Sequence, residues 1–245
     1  MDVLVTWLEK KTLIRLFFGT AFVVVLGVLV WKHREDPIGW LQETTRYRVL
    51  LGIAFFLVLG VHDVCMHREN PKRAKEYLFL LYAVFLGVLY AVIHDEITVT
   101  ISPAYFIVAK GLAPVADTLR LDTAFLATEA SYGPAAISGA LVLIANNPSN
   151  RWPQIPYARL ALVPGITLAC AASGAVLGGL YGRLFPPASG LEYAHEFKVA
   201  PGADIRFVVV WCIHTGTYVG AGIGTLLSCI HVVRARRKAA TIQKA

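Results

Sequence analysis

Long apolar runs alternate along this chain with short connections crowded with Lys, Arg, Pro and Gly. The hydrocarbon core of a bilayer is about 30 Å thick and takes roughly 20 helical residues to cross. Stretches that meet this demand lie at 13–31, 49–66, 77–93, 124–145, 157–181 and 207–233. The second is interrupted by His62-Asp63 and the fourth by Glu129, Gly133 and Pro134. The pattern predicts an all-α polytopic membrane protein, a single membrane domain over 1–245 with about six transmembrane helices. Its outer connections are 94–123 and 182–206.

One stretch breaks the helical pattern. After Ile93 come His94-Asp95-Glu96, and then Ile97, Val99 and Ile101 alternate with Thr98, Thr100 and Ser102 before Pro103. Period-two alternation rich in β-branched residues predicts a strand over 97–102. A lone strand leaves its backbone groups unpaired, so a partner is expected in the other outer connection, at Glu196-Phe197-Lys198-Val199. Together they would form a small β element over the outer end of the bundle.

Composition sharpens this picture. Hydrophobic residues make up 56% of the chain and charged residues 16%, which is too apolar for an ordinary soluble domain. The formal charge of +7 sits at span ends and in the C-terminal tail, without aromatic interleaving. It points to topology and anionic lipid headgroups rather than to nucleic acid. Counting Lys and Arg by the positive-inside rule places both termini in the cytoplasm. The first span lacks a small-x-small cleavage site and reads as a retained anchor. Cys65, Cys170, Cys212 and Cys229 lie within predicted spans without a CxxC pair, so no disulfide framework is expected.

The two halves differ in texture. Spans one to three are built of Phe, Leu and Val, whereas four to six are rich in Gly, Ala and Ser. Gly174, Gly178 and Gly182 recur at four-residue spacing, as do Gly216, Gly220 and Gly224. Such rows let helix backbones approach closely in lipid, so the last two spans are expected to pack antiparallel along them.

An ionisable side chain inside hydrocarbon is costly and marks a candidate site. His94, Asp95, Glu96, Glu129 and His214 fall at one predicted membrane depth, near the outer face. Two imidazoles with carboxylates suit a transition metal or a proton relay. A metal ion would offset the cost of a carboxylate in a low-dielectric place, and a relay needs groups tuned by burial. A purely structural reading also accounts for them, with His94 at a helix C-terminus, solvated acids, and His214 bonded to a carbonyl. A second, softer set, His62, Cys65 and Met66, shares one helix face at i, i+3 and i+4 and would suit copper(I).

The run His94-Asp95-Glu96-Ile97-Thr98-Val99-Thr100-Ile101-Ser102-Pro103-Ala104-Tyr105-Phe106 resembles a His-Asp-Gln/Glu…Ser-Pro-x-Tyr-Phe signature of uncharacterised bacterial integral membrane proteins. In that family the signature follows a hydrophobic helix, and a later helix opens with tryptophan and carries spaced glycines, similar to Trp211, Gly216, Gly220 and Gly224. Glu96 stands where glutamine is more usual, and the first two spans look like additions. The resemblance implies a protein of the bacterial inner membrane and carries no activity. Three function classes stay open. The first is a non-catalytic accessory or structural subunit docking on other membrane proteins. The others are a small-solute or cation translocator using Glu129 and His214, and a metal-dependent membrane enzyme with its site at the outer face.

Overall fold

A computed structural model describes residues 45–242, apart from 150 and 201. The chain divides into two compact units, 1–50 and 51–245, and apart from the start of the first helix all described residues belong to the second. The predicted span at 13–31 lies outside the described residues.

Seven α-helices are described: α1 Thr45–Met66, α2 Lys72–Ile101, α3 Ala116–Ala145, α4 Tyr157–Leu160, α5 Pro164–Leu184, α6 Ala188–Glu196 and α7 Asp204–Ile242. One π-helical turn, Tyr105–Ala109, follows α2. Among the described residues, three segments are long and apolar enough to cross a membrane: Lys72–Ile101, Tyr157–Leu184 and Asp204–Ile242. The apolar part of α1, Leu51–Met66, is shorter. Helix α3 is as long as α2, but Glu129, Ser131, Gly133 and Pro134 dilute its apolar character. Large apolar side chains face outward, with Phe85 61%, Leu177 66% and Leu226 66% exposed, while Thr98, Thr123 and Ser228 are buried. That inverted pattern matches a bundle whose solvent is lipid.

The expected strand is not formed; no strand occurs among the described residues. Helix α2 runs through Ile101, so 97–101 is helical. The physical reason is visible along the stretch. Its buried positions are His94, Asp95, Val99, Thr98, Ser102, Tyr105 and Phe106, which follow a helical repeat, whereas Ile97 points outward. A β-branched residue costs little in a helix against the benefit of pairing every backbone group internally in an apolar setting. The predicted partner segment is also not a strand: α6 ends at Glu196 and a turn follows. The two segments nevertheless share one apolar cluster, in which Val99, Tyr105, Phe106, Val199, Phe207 and Val208 are buried together.

The outer connections are shorter than the sequence pattern suggests, because α2 invades the 94–123 stretch and α6 lies within 182–206. The span at 157–181 is broken near 161–163 into α4 and α5, with Pro164 opening α5. Helix α2 ends at Ser102, held extended (φ −145°, ψ 91°) by the following Pro103.

Helix α7 is the hub. It packs most extensively on α5 and also touches α2, α3, α6 and the π turn. Along the α5–α7 seam a Cβ at Gly174 would collide with the Gly216 carbonyl, at Gly178 with the Cys212 carbonyl, and at Gly220 with the Cys170 carbonyl. The pairings run in opposite directions, so the helices are antiparallel, with a glycine on at least one side of each contact. A second close seam joins α2 to α3. A Cβ at Gly87 would lie 2.5 Å from Ala135 Cβ, and one at Gly139 would lie 2.9 Å from Ala83 Cβ. Hydroxyl pairs tie both seams to α7: Ser138 on α3 bonds Thr225 at 3.0 Å, and Thr167 on α5 bonds Ser228 at 3.1 Å.

Candidate metal centre

The last turns of α2 and the N-terminal half of α7 bring His94, Asp95 and His214 together. One ligating atom from each lies within 4.8 Å of the others, and this is the single such group of His, Cys, Asp or Glu among the described residues. His94 Nδ1 is 2.7 Å from Asp95 Oδ1, and His214 Nε2 is 3.7 Å from the same oxygen. All three side chains are largely buried, at 9% to 12% exposure. The imidazoles meet edge to face, with centroids 4.8 Å apart.

Hydroxyl groups extend the cluster on both sides. Thr217 Oγ1 lies 3.0 Å from His94 Nε2 and also 2.9 Å from the Ile213 carbonyl. Its single hydrogen can serve only one of these acceptors at a time. On the far side Thr98 Oγ1 is 3.5 Å from His214 Nε2 and bonds the Asp95 carbonyl at 3.3 Å. Tyr90 lies tilted against His94 with centroids 5.7 Å apart, and its buried hydroxyl makes no well-formed hydrogen bond among the described residues, with Thr217 close enough to interact with it.

Aromatic residues of the π turn hold His214 in place. The Tyr105 ring stacks on it at 4.9 Å and Phe106 approaches edge-on at 5.8 Å. The π turn exists because Pro103 stops α2, and Gly111, at φ +69°, takes the left-handed conformation that turns the chain away. Burial pushes the Tyr105 hydroxyl's pKa up, so it stays protonated beneath the ammonium group of Lys110, which lies 5.4 Å from its ring centroid.

The other candidate residues sit elsewhere. Glu96 turns outward to Arg120, 2.7 Å away. Glu129 is half-buried on α3 and is not a member of the three-residue group. His62, Cys65 and Met66 are all exposed on α1, while Asp63 between them is buried as a structural acceptor. Its carboxylate receives the Ala74 N–H at 3.0 Å and meets His67 Nδ1 at 3.0 Å, pinning the α1–α2 turn.

Sequence reasoning missed Thr217, Tyr90 and the small-residue seam of α2 and α3. The signals were present. Thr217 lies three residues after His214 and shares its helix face. Ala83 and Gly87, like Ala135 and Gly139, are small residues at four-residue spacing.

The cluster closes one end of a cavity of about 500 Å³ enclosed by α2, α3, α5 and α7. Its walls are mainly Ala, Leu, Gly and Pro. No protein-family model matches the chain, and neither a curated sequence nor a solved structure matches it.

Proposed function

We propose that this chain is a multi-pass protein of the bacterial inner membrane, both termini cytoplasmic, whose working part is a divalent transition-metal centre made by His94, Asp95 and His214. The observation that carries this reading is the convergence of two imidazoles and one carboxylate from two helices inside the bundle. Three protein ligands with room for a fourth is the pattern of catalytic zinc, and two histidines with one carboxylate also suits non-haem iron. Metal–ligand bonds near 2.1 Å place tetrahedral ligand atoms roughly 3.4 Å apart. The 3.7 Å between Asp95 and His214 is close to that, and His94 would exchange its short hydrogen bond to Asp95 for a bond to the ion. Thr217, on the other ring nitrogen of His94, then acts as the outer partner that orients that imidazole. The reading makes the protein a metal-dependent membrane enzyme, with zinc or iron as cofactor.

The translocator reading has one observation of its own. Thr217, Thr225 and Ser228 form a hydroxyl row along α7 that leads away from the cluster. Glu129 is not among the residues that line the cavity, so an ion path would run through Asp95 instead. The accessory-subunit reading draws on exposed apolar faces of α1 and α2, which lipid alone would also cover.

The test is the metal content of protein purified in mild detergent without chelator and then offered zinc or iron. About one ion per chain is expected in the wild type and in Glu129→Ala, with loss in His214→Ala and in Asp95→Asn. A wild-type protein that takes up no stoichiometric metal overturns the reading.

A further inference from the structure

The cavity beneath the cluster has its ionisable groups at one end, and the rest of its length is apolar apart from the hydroxyls of Ser131, Ser138, Thr167 and Thr225, which are bonded within the protein. His94, Asp95, His214, Tyr90 and Thr217 converge at the outer end, while Ala83, Ala127, Leu168 and Ala221 belong to the walls. Wall residues run from Ala83 to Asp95 on α2 and from His214 to Leu226 on α7. Each is twelve steps of helix, so the cavity is about 18 Å long at about 1.5 Å per residue. Spread over that length, 500 Å³ gives a mean cross-section on the order of 30 Å². That is room for an extended hydrocarbon chain whose carbons keep about 4 Å from the wall atoms.

The cavity also has a side entrance. Ile137 on α3 and Tyr218 and Leu226 on α7 line it and are 63%, 58% and 66% exposed, so it opens between these two helices toward the surface that lipid would cover. The polar end holds one carboxylate between two imidazoles, together with a buried Tyr90 hydroxyl that makes no well-formed hydrogen bond among the described residues. A negatively charged head would meet Asp95 at close range in a low-dielectric place. A neutral hydroxyl fits better. It can donate to Asp95 or accept from His214 Nε2–H, and it can also satisfy Tyr90.

We infer that the cavity binds a single-chain, membrane-soluble alcohol, admitted sideways from the bilayer between α3 and α7, with its hydroxyl at His94, Asp95 and His214. The inference rests on the reading that these three side chains form a working site, but it does not require the ion. It makes the substrate class a long-chain alcohol or a compound presenting the same neutral hydroxyl head.

The test uses the full chain in lipid nanodiscs and hexadecanol bearing a photoreactive diazirine at its chain end. After irradiation the label is expected at the far end of the cavity, near Ala83, Leu141 and Leu226, and unlabelled hexadecanol but not hexadecane displaces it. His214→Gln should lower labelling about tenfold, the effect of one lost hydrogen bond to the head group. Gly222→Leu adds a side chain to the cavity wall at a position where a Cβ meets nothing within 4 Å, so it should abolish labelling with unfolding temperature unchanged. Equal competition by hexadecane, stronger competition by hexadecanoate, or equal labelling of Val176 and Leu177 on the lipid side of α5 would each overturn the inference. Labelling that persists in a protein unable to take up zinc supports the alcohol site and overturns the metal centre, so the two failures are distinguishable.

Discussion

The two ends of α7 both bury ionisable groups, and they do so by opposite means. Toward the C-terminus Arg236 is 5% exposed, and its guanidinium donates to the carbonyls of Ala145, Trp152 and Pro153. Arg237 lies over the Trp152 ring at 4.6 Å. Each of the three guanidinium nitrogens of Arg236 has a carbonyl partner, and Ala145 lies at a helix C-terminus whose carbonyls favour a cation. Toward the N-terminus His94, Asp95 and His214 satisfy one another only in part. Asp95 Oδ1 is shared, Thr217 has one hydrogen for two acceptors, and the Tyr90 hydroxyl makes no well-formed hydrogen bond among the described residues. A completed network is what architecture needs, whereas spare bonding capacity beside a cavity is what a ligand needs.

This contrast can be broken by substitution. The largest effect is expected from Arg236→Met, which strands three buried carbonyls and should destabilise the bundle by about 3–5 kcal/mol, measured as thermal or denaturant unfolding in detergent. Gly220→Leu should follow at about 1–3 kcal/mol by the same measurement, because its Cβ would strike the Cys170 carbonyl and lie 3.1 Å from Ala171 Cα. Asp95→Asn should change stability by less than about 1 kcal/mol, because the amide keeps the shape of a network that was only partly satisfied. The same variant should lose bound metal, so a large stability loss with metal retained would make both ends of α7 alike. The smallest effect belongs to the exposed Glu96–Arg120 pair, where Arg120→Ala should cost at most about 1 kcal/mol and leave metal content unchanged.

The stretch 94–106 shows how far the sequence could be read. The alternation of Ile97, Val99 and Ile101 with Thr98, Thr100 and Ser102 is real, but a helical face of His94, Asp95, Thr98, Ser102, Tyr105 and Phe106 runs through the same residues. Two periods coexist, and local pattern cannot choose between them. Burial against α6, α7 and the π turn chooses the helix. The same limit applies to the site. Grouping His94, Asp95 and Glu96 by adjacency was natural, yet Glu96 rotates to the outside of α2 and pairs with Arg120. Glu129 shares a predicted membrane depth with the cluster, but depth says nothing about which face of α3 it occupies.

What the sequence determined by itself was the apolar character of the long helices and the small-residue material of their contacts. Long apolar runs, rare ionisable groups and glycine rows on two helices follow from composition and spacing, since hydropathy and backbone approach are local properties. Only the tertiary structure decided which ionisable groups meet. That depends on the rotation of α2 against α7, set by the α2–α3 and α5–α7 seams and by the aromatic plug of Tyr105 and Phe106 on His214. The seams bring backbones together from residues far apart in the chain, and they place His214 beside Asp95 rather than beside Glu129.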